Sequence, residues 1–357
     1  MANHRYALIM AGGRGTRFWP RSRKRNAKQV LRFFGERSLI QQTVDRLTPI
    51  IPPENIWIIT NELLQPEIRS QLPAVPKRQI IAEPAQRNTA PCIALAAQIL
   101  HDADPEAVLG VFPADHLILK EGRFRNFVKA AYRAAETGRV VVLGIQPRWP
   151  ETGYGYIEFP KNVKTGLSDA LPVTSFREKP DAKTAKKFVE RGNFFWNAGM
   201  FFWSASTVLD LMRRHQPKTA TLLAGLPSFR SKSFAAKLDE VYPMCDNISV
   251  DYAIIEKAES VTGIALDDIA WNDVGSWEAV YDLAEKDADR NASRAELVVE
   301  NSHGNYVDAA KTVALVGVDN LIVVDTPDAL LVASRSHAQD VSKIVKTLDG
   351  LEREELL

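Results

Sequence analysis

Cysteine is scarce in this chain: Cys92 and Cys245 are the only two in 357 residues, far apart and without metal-ligand spacing. That pattern predicts two buried thiols in a reducing cytoplasm. Charge imbalance is also lacking. A net charge of +1 argues against general nucleic-acid binding and leaves a local anion site open. No stretch approaches the roughly 18 apolar residues that a membrane span needs. The apolar segment after His4 and Arg5 runs for about five residues before it meets glycines, so it reads as a strand and not as a signal peptide. The expectation is a cytoplasmic protein without a membrane or nucleic-acid partner. Internal repeats, low-complexity tracts and any Ser/His/Asp or Cys/His constellation are missing as well. What remains is an ordinary globular composition, 45% hydrophobic and 25% charged, long enough for one large α/β domain with an appendage or for two domains.

Strand-length apolar runs recur at Tyr6–Met10, Ile56–Ile59, Val108–Phe112 and Val140–Leu143. Runs that are continuous rather than alternating suit strands covered on both faces. Helical patterns lie between them. Ser38 can cap a helix through Leu47, Asn88 or Thr89 can cap another through Leu100 with Pro91 in its first turn, and Phe124 to Ala135 carries a third apolar stripe. This alternation predicts a mostly parallel sheet with helices on both sides. After about residue 150 it loosens into a glycine–tyrosine turn at 151–156 and a polar hairpin or loop from Pro160 to Pro172. A charged, apolar-poor break follows near Glu285–Ser293. Beyond it, short β runs at 313–316, 321–324 and 330–332 predict a small all-β unit, and Ala338 to Leu348 predicts a terminal amphipathic helix.

The residues that carry chemistry begin with Gly12-Gly13-Arg14-Gly15-Thr16-Arg17, placed directly after the first strand and followed by Lys28. Glycines let backbone N–H groups approach phosphate oxygens, and Arg14, Arg17 and Lys28 balance the charge. Arg21, Arg23, Lys24, Arg25 and Arg32 thicken the basic cluster. No Gly-Lys-Ser/Thr follows, which excludes a Walker loop, and Phe18 occupies the place of a dinucleotide fingerprint's third glycine. Asp115 closes Phe112-Pro113-Ala114-Asp115-His116 and suits Mg²⁺ as well as it suits a helix cap; His116 reads as a turn-packing residue. Asp273 lies between Trp271 and Trp277 and is equally a metal carboxylate or a turn residue. Glu178-Lys179-Pro180 reads as a surface ion pair. In the aromatic run Phe194–Trp203, which reads as core, Asn197 stands out.

Taken in order, these segments, with Glu83-Pro84 and Arg87-Asn88-Thr89-Ala90-Pro91, resemble the sugar nucleotidyltransferases, and among them the bacterial mannose-1-phosphate guanylyltransferase (GDP-mannose pyrophosphorylase) branch. The resemblance covers nearly the whole chain. It implies an α/β fold: a Rossmann-like mixed, mostly parallel sheet flanked by helices, with a small C-terminal left-handed β-helix. It places a catalytic domain at 1–288 and a short β-helix with its terminal helix at 289–357. The implied reaction joins GTP and mannose 1-phosphate, giving GDP-mannose and pyrophosphate, with Mg²⁺ as cofactor. Gly12, Gly13, Gly15 and Thr16 would line the triphosphate, with Thr89 also on the nucleotide. Glu83 and Asn88 would face the base, where guanine offers N–H donors and adenine's N1 is an acceptor. Arg17 and Lys28 would stabilise charge on the α-phosphoryl group and the leaving pyrophosphate, and Lys179 would meet the sugar phosphate. Gly153, Glu178 and Asn197 would contact sugar hydroxyls, and Asp115 and Asp273 would hold Mg²⁺.

One departure stands out. The family's lysine usually follows proline, and here Ala27 precedes Lys28, so the loop is expected to be looser and nucleotide affinity modestly altered. The chain ends soon after the β unit, so the isomerase domain of longer relatives is not expected. An exposed apolar edge on that unit would suit a homodimer. The competing readings are a nucleotidyltransferase for another sugar 1-phosphate, a non-catalytic nucleotide-sugar-binding regulator, and a Rossmann-type oxidoreductase. Retention of Lys28, Asp115, Lys179 and Asp273 disfavours the regulator, and the absent third glycine disfavours the oxidoreductase.

Overall fold

The computed structural model describes residues 4–357. The continuous apolar runs form the centre of a ten-stranded sheet. Ile80–Glu83, Ile56–Asn61, Arg5–Met10 and Val108–Pro113 lie side by side and parallel, with Leu8 opposite Trp57 on one flank and Val111 on the other. Phe194–Ser204 comes next and runs antiparallel to both its neighbours, Val108–Pro113 and Val140–Ile145. Val261–Leu266 then continues parallel to Val140–Ile145. All these strands except Phe194–Ser204 therefore point one way, and their carboxyl ends share one edge of the sheet, where open α/β sheets bind ligands.

Alternate residues of each strand feed two separate cores. Ala7 and Ile9 face the side covered by Leu39–Leu47 and Glu121–Ala135, whereas Leu8 faces the side covered by Thr89–Ala103 and Ala205–His215. Burial on both faces is why the sequence shows unbroken apolar runs. Ser38 caps the first helix in a reciprocal capping box with Gln41, and Asn88 begins the second. Among the described residues no helix is long and apolar enough to cross a membrane. Both cysteines are buried and free.

The direction of Phe194–Ser204 is not readable from its composition, because antiparallel pairing is decided by its neighbours. A break in its register between Asn197 and Phe201, with Gly199 at φ +65°, makes a bulge at the sheet's carboxyl edge. Gly199 N–H donates to Asn197 Oδ1 at 3.1 Å and holds that amide in place.

The C-terminal unit is a β-helix. Ala292–Ser293, Tyr306–Asp308 and Leu321–Asp325 stack in parallel rungs, as do Leu297–Glu300 and Val313–Val316, while Leu330–Ser334 folds back antiparallel. The buried amides of Asn291 and Asn305 bond to each other and to the turn carbonyls of Ser302 and Val318, which satisfies polar groups where the coil bends. A short 3₁₀ segment, Arg335–Asp340, leads into the final helix, Val341–Gly350.

This unit shares a core with the glycine-rich loop. Phe18, Trp19 and Phe33 pack in one cluster with Trp277, Tyr306, Ile322 and Val341. Polar ties reinforce it. Arg21 grips the buried carboxylate of Asp308, Arg23 pairs with Asp328 at 2.9 Å, and Lys24 pairs with Glu354. Arg335 forks onto Glu278 at 2.6 and 2.8 Å and lies 3.5 Å over the ring of Tyr281. Three cations of the basic cluster thus pair with carboxylates of the C-terminal unit.

Candidate active site

The strand ends and the loops beyond them enclose a cleft of about 730 Å³. Its floor is the glycine loop. Ala11 O, at the end of the first strand, accepts from Gln29 Nε2 at 2.8 Å and Thr60 Oγ1 at 2.9 Å, which fixes where the loop begins. Gly12, Gly13 and Arg14 face this cleft. The loop then turns away. Gly15, Thr16, Arg17 and Lys28 line a neighbouring hollow of about 330 Å³ that shares Asp115 and Asp273 with the main cleft. The expected phosphate loop is therefore divided, with its first glycines on one side of the two aspartates and its last residues on the other.

Glycine at 15 is required by geometry. Its φ is +63°, and a Cβ there would lie 2.5 Å from Lys28 Cβ. Lys28 is buried, and its ammonium donates to Asp115 Oδ2 at 2.8 Å and to the carbonyl of Asp273 at 2.5 Å, so it links the two acidic segments. Burial alone would raise the Asp115 pKa, but the Lys28 charge and hydrogen bond outweigh it and hold that carboxyl below its ordinary range. Tyr154 donates to Asp273 Oδ1 at 2.6 Å, and Asp273 itself sits in a turn where Val274 takes φ +48°. His116 packs edge-on against Trp271 and accepts from its indole N–H at 3.2 Å; burial pushes its pKa down to about 4 and keeps it neutral. The turn-packing role expected for His116 holds.

Glu83, Asn88 and Thr89 line the main cleft. Glu83 is buried and accepts from Tyr242 O–H at 2.7 Å. Asn88 takes φ +65° to begin its helix. Thr89 Oγ1 accepts from Val250 N–H at 2.8 Å, so its hydroxyl ties the helix start to the 248–251 segment. Gly153, Glu178, Lys179 and Asn197 line the same cleft. Glu178 is tucked in, 3.3 Å from the more exposed Lys179 ammonium, and Gly155 gives it room: a Cβ at 155 would come within 2.4 Å of Glu178 Oε2.

Sequence reasoning missed Asp251. It lines the cleft beside Asn197, whose Nδ2 donates to its Oδ1 at 3.0 Å, and it opens a π-helical turn, Asp251–Ile255. Burial, with the nearby Glu178 charge, pushes its pKa up to about 7. In sequence it looks like any acid opening an apolar helix. Tyr242 was missed for the same reason, since nothing local marks an aromatic that meets a partner 159 residues away.

Residues 6–290 match the nucleotidyl transferase family model, and residues 296–348 match that of the MannoseP isomerase/GMP-like beta-helix domain. The chain belongs to the nucleotidyl transferase family. It is 38% identical to a mannose-1-phosphate guanylyltransferase of Salmonella muenchen, over 98% of this chain and 74% of that one. It is 36% identical to the alginate biosynthesis protein AlgA of Pseudomonas aeruginosa, over 98% and 73%. Among solved structures, a Thermus thermophilus protein described as a mannose-1-phosphate geranyltransferase superposes with a TM-score of 0.85 at 33% identity, covering 97% of this chain and all of that one.

Proposed function

We propose that the protein transfers GMP from GTP to mannose 1-phosphate, releasing pyrophosphate and forming GDP-mannose. The observation that carries this reading is the set of groups that line one cleft: a carboxylate suited to base N–H donors, a glycine loop with Arg14, two aspartates, and a lysine beside hydroxyl-binding groups. Similarity to relatives named for this guanylyl transfer supports the choice of nucleotide and sugar.

In this reading a sugar-phosphate oxygen attacks the α-phosphorus and the bond to the β-phosphate breaks, so no enzyme nucleophile is needed. The chain's task is to align the two phosphates and screen their charge. Gly12 and Gly13 offer backbone N–H groups, Arg14 and Arg17 lie on either side of the loop, and Lys179 meets the incoming sugar phosphate. Lys28 keeps Asp115 ionised and holds the Asp273 turn against it. These two carboxylates fit Mg²⁺, which proteins commonly hold with one or two carboxylates plus substrate phosphates. When bound, the ion would neutralise phosphate charge.

The test supplies each of four nucleoside triphosphates with a panel of sugar 1-phosphates and Mg²⁺, follows pyrophosphate release and identifies products by mass. Absence of turnover with GTP and mannose 1-phosphate overturns the proposal. Asp115→Asn and Asp273→Asn should each abolish Mg²⁺-dependent turnover in folded protein, and near-normal rates would refute the metal assignment.

A further inference from the structure

Glu83 has two carboxylate oxygens, and they have different surroundings. Oε2 accepts from Tyr242 O–H at 2.7 Å, and Tyr242 is fully buried. Oε1 lies toward the glycine loop, 3.0 Å from where a Cβ on Gly12 would stand, so a side chain at position 12 would crowd that oxygen. The tyrosine is itself fixed in place. It begins a 3₁₀ turn at the end of helix Phe234–Val241, Pro243 follows it, and the Arg87 guanidinium donates to the Pro243 carbonyl. Arg87 directly precedes Asn88 and Thr89, so this segment of the cleft lining and the turn that carries Tyr242 are one connected structure.

We propose that Tyr242 is a positioning residue for base selection: by donating to Oε2 it presents Oε1 of Glu83 to the cleft as a charged acceptor, which fits guanine's N1–H and exocyclic N–H and repels the N1 lone pair of adenine. This rests on the reading of the cleft as a guanylyl-transfer site. A protonated Glu83 could donate to adenine N1, so the charge state of this carboxyl decides the preference. Burial pushes it up to about 7, against the downward pull of the tyrosine bond. The other titratable groups against the pair are the buried thiols of Cys92, on helix Thr89–Ala103, and Cys245, beyond the 3₁₀ turn; both are pushed up by burial and stay neutral. No Lys or Arg forms an ion pair with Glu83 among the described residues.

The test is steady-state kinetics of the full chain and of Tyr242→Phe from pH 6 to 9, with GTP, ITP and ATP. In the wild type the KM for GTP should be about tenfold higher at pH 6 than at pH 8, because the acceptor is lost to protonation. In the variant the same rise should begin at higher pH. At pH 7.5 its GTP preference over ATP should narrow by about fivefold or more, with kcat and the sugar-phosphate KM nearly unchanged, and the GTP KM should recover at pH 9. A merely structural role would not produce that recovery. An unchanged profile in Tyr242→Phe, or losses equal at every pH and for both substrates, overturns the proposal. So does a flat wild-type KM for GTP between pH 6 and 8, which needs no variant. A wild type that does not use GTP at all refutes the functional reading instead.

Discussion

Adding one methyl group at Gly15 tests whether the glycine loop and Lys28 act as a single rigid piece. The new carbon would lie 2.5 Å from Lys28 Cβ, 3.1 Å from Lys28 N and 3.2 Å from Ser22 Oγ. Carbon atoms in contact normally sit about 3.5–4.0 Å apart, so Lys28 must retreat by roughly 1 Å. Its backbone cannot swing aside as a flexible side-chain tip would, and Ser22 is already committed to the Arg14 carbonyl at 2.7 Å. The positive φ adds about 1–2 kcal/mol, and the overpacking about 1–3 kcal/mol. Gly15→Ala should therefore lose about 2–5 kcal/mol of stability, seen as a melting temperature lower by roughly 3–7 °C for a chain of this size. Turnover should fall further than stability alone explains, by about 10²-fold, because the ammonium that joins Asp115 to Asp273 moves with its backbone. Gly13→Ala is the control: nothing lies within 4 Å of its Cβ position and its φ is not positive, so its melting temperature should stay near that of the wild type. Pyrophosphate release and thermal melts measure both. A Gly15→Ala protein with wild-type melting and turnover, or a Gly13→Ala protein that melts as low, would refute the reasoning.

Three further outcomes follow from the site. Asp251→Asn should raise the KM for the sugar phosphate by about tenfold while leaving that for GTP within twofold; equal effects on both substrates in steady-state assays would remove Asp251 from sugar binding. Glu83→Gln should stabilise the protein at pH 8 and not at pH 5. The folded carboxyl titrates above its ordinary value of 4.5, so its cost to folding is absent below that value and complete above about 7. The gain at pH 8 should be on the order of 1–3 kcal/mol by denaturant melts, and equal gains at both pH values would contradict the assignment. Ala27 is buried and extended at φ −75°, a value proline can adopt, and the loop around it is pinned through Arg23, Lys24 and Ser22. Ala27→Pro should therefore add about 0.4–1 kcal/mol by stiffening the unfolded chain, with GTP affinity unchanged. A changed GTP KM would instead favour the looser loop expected from sequence.

Much of this was legible in the sequence because it is local. Continuous apolar runs mark strands buried on both faces, Ser38 marks a helix start, and the short runs after residue 310 mark an all-β unit, although that unit begins earlier, with rungs at 292–293, 297–300 and 306–308. Gly12, Glu83, Asp115, Glu178 and Asn197 stand in recognisable short segments, and the fold brings them to one cleft. What was not legible depends on distant partners. Arg21, Arg23 and Lys24 look like more of the same anion-binding loop, yet their carboxylates lie 287 to 330 residues away in the chain and point them elsewhere. The division of the loop between two hollows, the bulge that aims Asn197 and the bond from Tyr242 to Glu83 arise the same way. Each is fixed by a tertiary contact that no window of neighbouring residues contains.

The shared core of the glycine loop and the β-helix has a consequence for the order in which the molecule is built. Residues 12–28 leave the ribosome well before residues 277–341, so Phe18 and Trp19 have no complete packing partner until Trp277, Tyr306 and Val341 have followed. Arg21 likewise waits for Asp308. The strands of the central sheet are complete by residue 266, yet the loop at its edge stays unsupported until those later residues have been made. A chain with a finished sheet but without residues 277–341 would therefore still lack the packing that supports the glycine loop.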